Sequence, residues 1–309
     1  MSDSVELWKT PTAGEVNMLA GWRQWADAGS TSSGLPQYLI KRLKAEQIGR
    51  INPGGFYLFQ IPGTHDLVRP IVKYDEGIPV SLQTNENEIY YARHGDKGWV
   101  IFLGDEPHLN IDEYVAAFLH IAEVLNVRRI IGFGGVYGEL PYDKERLISS
   151  SFSVPRLKTE VQRLAVNLTE YHGGASIGSV ICKRAGEQDR EFVSLYAFVP
   201  AYEFSSNMQV GNSIRIENDY FAWLGLLRRL NYMLKSDLDT ADLEKKSKKL
   251  IRAVDSKVEE LENSSPQMGV REYLRKLSDD FTETVFNPLD DVWEDELRRL
   301  YEKFDSDES

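Results

Sequence analysis

The chain has 309 residues, 42% of them hydrophobic and 11% aromatic, with a net charge of −12. That is enough apolar material for one large or two modest domains and too much for a disordered chain. The acidic balance disfavours nucleic acid and anionic membranes as partners, and no apolar run approaches the roughly 20 residues of a membrane span. The opening "MSDSVELWKT" lacks a basic stretch followed by an apolar one, so no secretory signal is expected. The single cysteine, Cys182, cannot staple the fold and favours a reducing, cytoplasmic setting. With Ile181, Lys183 and Arg184 beside it and no activating histidine, it reads as a buried structural thiol.

In chain order, "VNMLAGW" (residues 16–22) predicts a strand, and Leu35, Leu39 and Leu43 recur at helical spacing after a Ser-rich loop. "INPGGFYLFQI" and "VRPIVKY" read as strands, with Pro53 and Pro70 confined to ends or edges. "EIYYARH" and "GWVIFLG" flank the turn "GDKG" as a hairpin. "NIDEYVAAFLHIAEVLN" predicts a helix, with Asn110 and Glu113 at capping-box spacing. "RRIIGFGGVYGELP" is a buried strand ending in glycines, and "RLISSSFS" a further strand. "PRLKTEVQRLAVNL" opens a helix on Pro155. "YHGGASIGSVICKRAGEQ" is a turn into a short helix, "EFVSLYAFVPAYEF" a strand, and "NSIRIENDYFAWLGLLRRLNYMLK" a long amphipathic helix.

This alternation predicts an α/β fold with a mostly parallel sheet and helices on both faces, a core domain over residues 1–235. Residues 236–309 hold 21 acids against 12 Lys and Arg, a net of −9, and form an acidic helical C-terminal region. Its apolar stripes, Leu250, Val254, Val258 and Leu261, then Tyr273, Leu274, Leu277 and Phe281, need a surface to lie on. "DDVWEDELRRLYEKF" (residues 290–304) predicts a last helix.

Ligands in open α/β sheets bind at the C-terminal strand ends. Four segments meet that description: "AGWRQWADAG", "LGDEPH", "FGGVYGELP" and "SLYAFVPAY". The candidate ligand-binding residues are Asp27, Arg69, Asp105, Glu106, Gly134 and Tyr202. In "GDEPH", Glu106 suits acid/base work if burial raises its pKa. The favoured reading of the segment is a plain strand-to-helix corner, set by Pro107 and capped by Asn110, that still allows ligand contact. Arg69 is a candidate partner for Asp27, Asp105 or Glu106, either as structure or as an anion holder. No metal-ligand spacing, nucleotide-binding loop or G-x-S-x-G elbow is present, so no metal, cofactor or catalytic residue is expected.

The order of these pieces resembles the proteasome assembly chaperone 2 family. The resemblance rests on "GWRQWADAGSTSSGLPQYL", Arg69–Pro70, "FLGDEPHLNIDEYVAAFLHIAEVLNVRRIIGFGG" and "GGASIGSVICKRAGEQDREFVSLYAFVPAY", and runs from about Val16 to Leu234 and into the tail. It implies a three-layer α/β/α sandwich similar to purine nucleoside phosphorylases, plus the C-terminal helical region. It also implies self-association, as a trimer, and work as an assembly or protein-interaction factor rather than an enzyme. The alternative is a binder of, or enzyme for, a nucleoside- or phosphate-type ligand at the rim around Arg69 and Glu106. Three departures stand out. "RQWA" separates Trp22 from Asp27, "LPYDKE" replaces the family's P-H-T-R-P, and "YEKFDSDES" lacks the hydrophobic–Tyr–any ending of proteasome-docking relatives.

Overall fold

The structure is a computed structural model that describes residues 4–11, 14–61, 68–204 and 213–286. In chain order the elements are β1 (Val5–Leu7), β2 (Glu15–Arg23), α1 (Thr31–Leu43), β3 (Glu46–Ile51), β4 (Ile71–Asp75) and β5 (Ile78–Gln83). Next come β6 (Asn87–His94), β7 (Lys97–Asp105), α2 (Ile111–Val124), β8 (Val127–Gly138), β9 (Ile148–Phe152), α3 (Lys158–Gln162) and β10 (Asn167–Leu168). Then follow α4 (Ile177–Glu187), β11 (Glu191–Glu203), β12 (Ser213–Arg215), α5 (Tyr220–Leu234), α6 (Ala241–Ser264) and α7 (Val270–Asp279). The helix expected over residues 290–304 lies outside the described residues.

One large sheet runs β1-β3-β6-β7-β2-β8-β11-β9-β10, with β12 beside β11. Its centre, β7-β2-β8-β11, is parallel throughout. Antiparallel pairs flank it on both sides, β6 on β7 and β9 on β11. The four segments read as strand ends therefore do lie side by side at one rim.

Helices cover both faces, which makes three layers. Period-two alternation sorts the core: Leu19, Ile101, Ile131 and Leu195 face α1 and α5, where Leu35, Leu39, Leu226 and Leu230 meet them. Met18, Ala20, Val100, Phe102 and Ile130 face α2 and α4, against Phe118, Ile121 and Ile181. Because the central strands are buried on both faces they read as unbroken apolar runs. Trp22, Phe102 and Phe118 pack with centroids 5.0–5.6 Å apart, tilted or edge-on.

A third apolar cluster joins the tail to the sheet. Val254, Val258 and Leu261 of α6, with Val270 and Leu274 of α7, pack on Val199, Tyr202 and Ile214. The predicted stripes thus have their surface in the same chain, except for Phe281, which lies beyond the end of α7. The non-helical segment after α7 is also seated. The Phe286 ring lies 4.8 Å from the Arg229 guanidinium, and the Phe286 N–H donates to Glu145.

Four local expectations need correction. Residues 52–61 form no strand; Pro53, Gly54 and Gly55 break the ladder after Ile51. The helix after Pro155 is a single 3₁₀ turn followed by the short α3. The helix read from "NSIRIEND" starts only at Tyr220, because Asp219 caps it and residues 213–215 pair with β11. Asn110 does stand at the start of α2, but its side chain donates to the Gly55 carbonyl rather than capping.

Candidate functional site

β2 leaves the rim through a strained elbow. Gln24 and Ala26 have φ of 84° and 54°, a region that side chains rarely occupy. The elbow is held by Gly135, whose N–H donates to the Ala26 carbonyl at 2.7 Å. A Cβ at Gly135 would stand 2.1 Å from the Ala28 carbonyl oxygen, so only glycine admits this approach. Asp27 follows. Its carboxylate accepts from the Ser32 and Ser33 N–H groups at 2.8 and 2.9 Å and from the Ser33 hydroxyl at 2.6 Å. It thereby satisfies orphan donors at the start of α1. Burial nevertheless pushes the Asp27 carboxyl above its ordinary value.

Asp105 ends β7 and faces Arg23, the last residue of β2, across the parallel register. Their charges lie 3.5 Å apart, and Asp105 also accepts from the Glu86 N–H at 2.8 Å. Its carbonyl accepts from the Tyr57 hydroxyl at 2.9 Å. Asn87 Oδ1 takes hydrogen bonds from Tyr57 and Tyr114, and Tyr114 accepts from Trp22 Nε1 at 2.9 Å. His108 Nδ1 accepts from the Leu58 N–H, and burial holds that imidazole below its usual pKa. These bonds fasten the corner from Phe56 to Leu109.

Glu106 points the other way, to the first turn of α4. Its Oε1 accepts from the Ile177 N–H at 2.7 Å, while Oε2 is buried without a partner. Burial raises the carboxyl to about 7, against the smaller opposing pull of the Ile177 N–H. Ser176 caps α4 through the Ser179 N–H, and its hydroxyl meets the Tyr196 hydroxyl at 2.9 Å. Trp22, Trp25, Ser32 and Ser194 close the space around these groups. The cavity left is about 10 Å³, room for one water at most. The turn "YHGGASIGS" leads into α4 as expected, and the first turn of that helix meets the chain's own Glu106 carboxyl.

The six candidates divide as follows. Glu106 lines the cavity, Asp27 caps α1 beside it, and Asp105 turns away to Arg23. Gly134 sits opposite Tyr196 in the β8–β11 ladder, and a Cβ there would stand 2.2 Å from the Tyr196 ring. Tyr202 is buried among Phe204 and Tyr273 and donates to the Leu140 carbonyl at 2.6 Å. Arg69 is exposed, with its guanidinium 5.0 Å from the Phe59 ring and bonded to Gln60. The charge expected of Arg69 beside Asp105 is supplied by Arg23. The signal was available: "GWR" and "LGD" end neighbouring parallel strands. Ser176 and Tyr196 were missed because each bears one hydroxyl in an otherwise ordinary apolar pattern. Burial raises the Cys182 thiol to about 11, as a structural cysteine requires. Among the described residues no group of acids, histidines and cysteine could hold a metal, and no helix is long and apolar enough to cross a membrane.

Comparison with solved structures places the fold among known ones. A proteasome-assembly chaperone homologue from Mycobacterium tuberculosis superposes with a TM-score of 0.67 at 20% identity, covering 78% of this chain and 94% of that one. A PAC2 family protein from Streptomyces avermitilis gives 0.66 at 23% identity, over 84% and 99% of the two chains. PbaB of Pyrococcus furiosus, an archaeal proteasome activator, gives 0.58 at 15% identity, over 82% and 97%. No curated protein matches significantly. The sequence profile of the PAC2 family matches residues 22–258, from the end of β2 through most of the sheet and into α6, and the chain belongs to that family.

Proposed function

We propose that this protein is a non-enzymatic, self-associating assembly or protein-interaction factor. The observation that carries the reading is a contrast between two parts of the molecule. The polar groups at the strand ends close on one another around a water-sized cavity. The β4–β5 hairpin, by contrast, is exposed at every residue and carries six large apolar side chains. A ligand pocket normally offers several hundred Å³, whereas exposed apolar surface of this kind marks protein contact. Work on a protein assembly accords with relatives that are a proteasome-assembly chaperone homologue and a proteasome activator. Its mechanism is surface complementarity, with the acidic tail helices as a second contact face. The lone buried thiol favours a reducing, cytoplasmic setting.

One feature favours the small-ligand reading: Glu106, with an unpartnered buried oxygen and a pKa near neutrality, beside the Ser176–Tyr196 pair. A thermal-shift panel of nucleosides, nucleotides and inorganic phosphate separates the two. Protein contact predicts no change in melting temperature with any of them. A saturable rise, abolished in Glu106→Gln, would transfer the function to the rim.

A further inference from the structure

At the end of the sheet opposite the rim, where β8 and β11 begin, the surface opens into a cleft of about 250 Å³, against about 10 Å³ at the strand ends. Small-molecule sites start at roughly 300 Å³, so the cleft suits a compact ligand. Ala122 of α2, with Val127 and Ile130 of β8, gives it an apolar wall, and Arg128, Arg156 and Arg190 stand around that wall. The three guanidiniums differ in what holds them. Arg156 is engaged: its Nε donates to Glu191 at 3.1 Å, its Nη2 to the Asp189 carbonyl at 2.9 Å, and its Nη1 to the Asp189 carboxylate. The second Glu191 oxygen accepts from Arg129 at 2.8 Å. The acids of the cleft are thus tied to partners of their own. Arg128 gives one N–H to Glu15, which lies outside the cleft. Arg190 has Glu123 near it at 3.8 Å, beyond hydrogen-bond length. Its side chain is only 27% exposed, yet among the described residues its guanidinium donates no hydrogen bond. A guanidinium carries five N–H donors in a fixed fork, and burying them without acceptors is unfavourable.

We infer that this cleft binds a small monocarboxylate with a short apolar body. Its carboxylate rests on Arg190 and Arg128, and its apolar part on Ala122, Val127 and Ile130. A planar carboxylate matches the guanidinium fork with two parallel hydrogen bonds. Charge selects a single negative. The lining carries Arg128, Arg156 and Arg190 against Asp189 and Glu191, a net of +1 in a chain of −12. A second negative charge on the ligand would face those two acids uncompensated. It would also meet the C-terminal ends of α2, at Val124, and of α4, at Glu187, which lead directly into β8 and β11. Helix C-termini present the negative pole of the helix dipole. A phosphate dianion is therefore disfavoured where a carboxylate is accepted.

Isothermal titration calorimetry of the full chain in a carboxylate-free buffer tests this. The probes are isobutyrate and benzoate, with isobutyramide, benzamide and inorganic phosphate as controls. Both acids should bind saturably at about millimolar concentration, while the amides and phosphate give only heats of dilution. Arg190→Gln should weaken binding of the acids by about tenfold or more, the worth of a charge-assisted hydrogen bond, and Arg128→Gln should weaken it as well. Neither substitution removes a buried hydrogen bond, so a melting curve matching the wild type without ligand certifies each fold, and Arg128→Gln serves alone if Arg190→Gln fails that check. No binding heat from either acid up to about 10 mM would overturn the inference. So would acid binding that the folded variants leave unchanged, or amides or phosphate that bind as well as the acids.

Discussion

Asp219→Asn isolates the buried ion pair that ties α5 to the loop before β9. Asp219 Oδ2 and Arg146 Nε lie 2.8 Å apart, with side chains 0% and 1% exposed. Asp219 Oδ1 meanwhile accepts from the Phe221 and Ala222 N–H groups. Asparagine keeps an acceptor for that cap but removes the charge, leaving Arg146 buried and uncompensated. Breaking such a pair costs about 3–5 kcal/mol. Arg146 keeps hydrogen bonds to the carbonyls of Tyr142 and Lys144 at 2.9 and 2.8 Å, and a longer one to Pro141 at 3.4 Å. The low end, about 3 kcal/mol, therefore applies. With a urea slope of about 3 kcal/mol/M the unfolding midpoint should fall by roughly 1 M at unchanged slope. Arg146→Met alone strands the carboxylate, and the double variant should lose less than the sum of the two by about 2 kcal/mol. A single-variant midpoint within about 0.2 M of wild type would refute the view that this pair holds the helix to the sheet.

Glu106 gives stability a definite pH dependence. Its folded pKa of about 7 lies above the ordinary 4.5, so between those values the folded chain holds a proton that the unfolded chain lacks. Stability from this group falls as pH rises through the window, by up to about 3 kcal/mol. Melting temperatures of wild type and Glu106→Gln, taken from pH 5 to 8, should diverge with rising pH in favour of the variant; parallel curves would contradict the burial argument. Gly135→Ala should cost at least about 2 kcal/mol in urea unfolding, because the new methyl meets the Ala28 carbonyl rather than a movable side chain. A loss below about 0.5 kcal/mol would mean that the elbow shifts freely. Cys182 should react with a thiol reagent at pH 8 only as fast as the chain opens, and at full speed in denaturant, given its burial and its pKa of about 11.

The central sheet was legible because burial on both faces writes itself as runs such as "VIFL" and "IIGF", and four such runs ended in irregular segments. The flanking strands β6 and β9 were legible as well, whereas β1 and β3 were not, for physical reasons. β1 and β3 sit at an edge where one apolar face suffices, and "EQIGRI" carries little periodicity. β4 was recognised but placed in the wrong surroundings. Its apolar residues face outward from a hairpin, and a pattern of Val, Ile and Tyr does not say whether its cover lies within the chain. That misplacement carried Arg69 to the rim, where register puts Arg23 instead. Gly134 and Tyr202 were correctly placed on strands. Their immediate neighbours, the Tyr196 ring and the Tyr273 ring of α7, come from distant segments, and no local pattern encodes such contacts. The cavity was half legible. Glu106 stood out as an acid at a strand end, but its partner, the Ile177 N–H, is a backbone group 71 residues away.

The central claim is that this chain acts through protein contact, beginning with itself. Light scattering of the purified wild type across a wide dilution series tests it most directly. The account predicts a mass above the 35.3 kDa chain, falling toward it only on dilution. A constant 35.3 kDa at every concentration would contradict it.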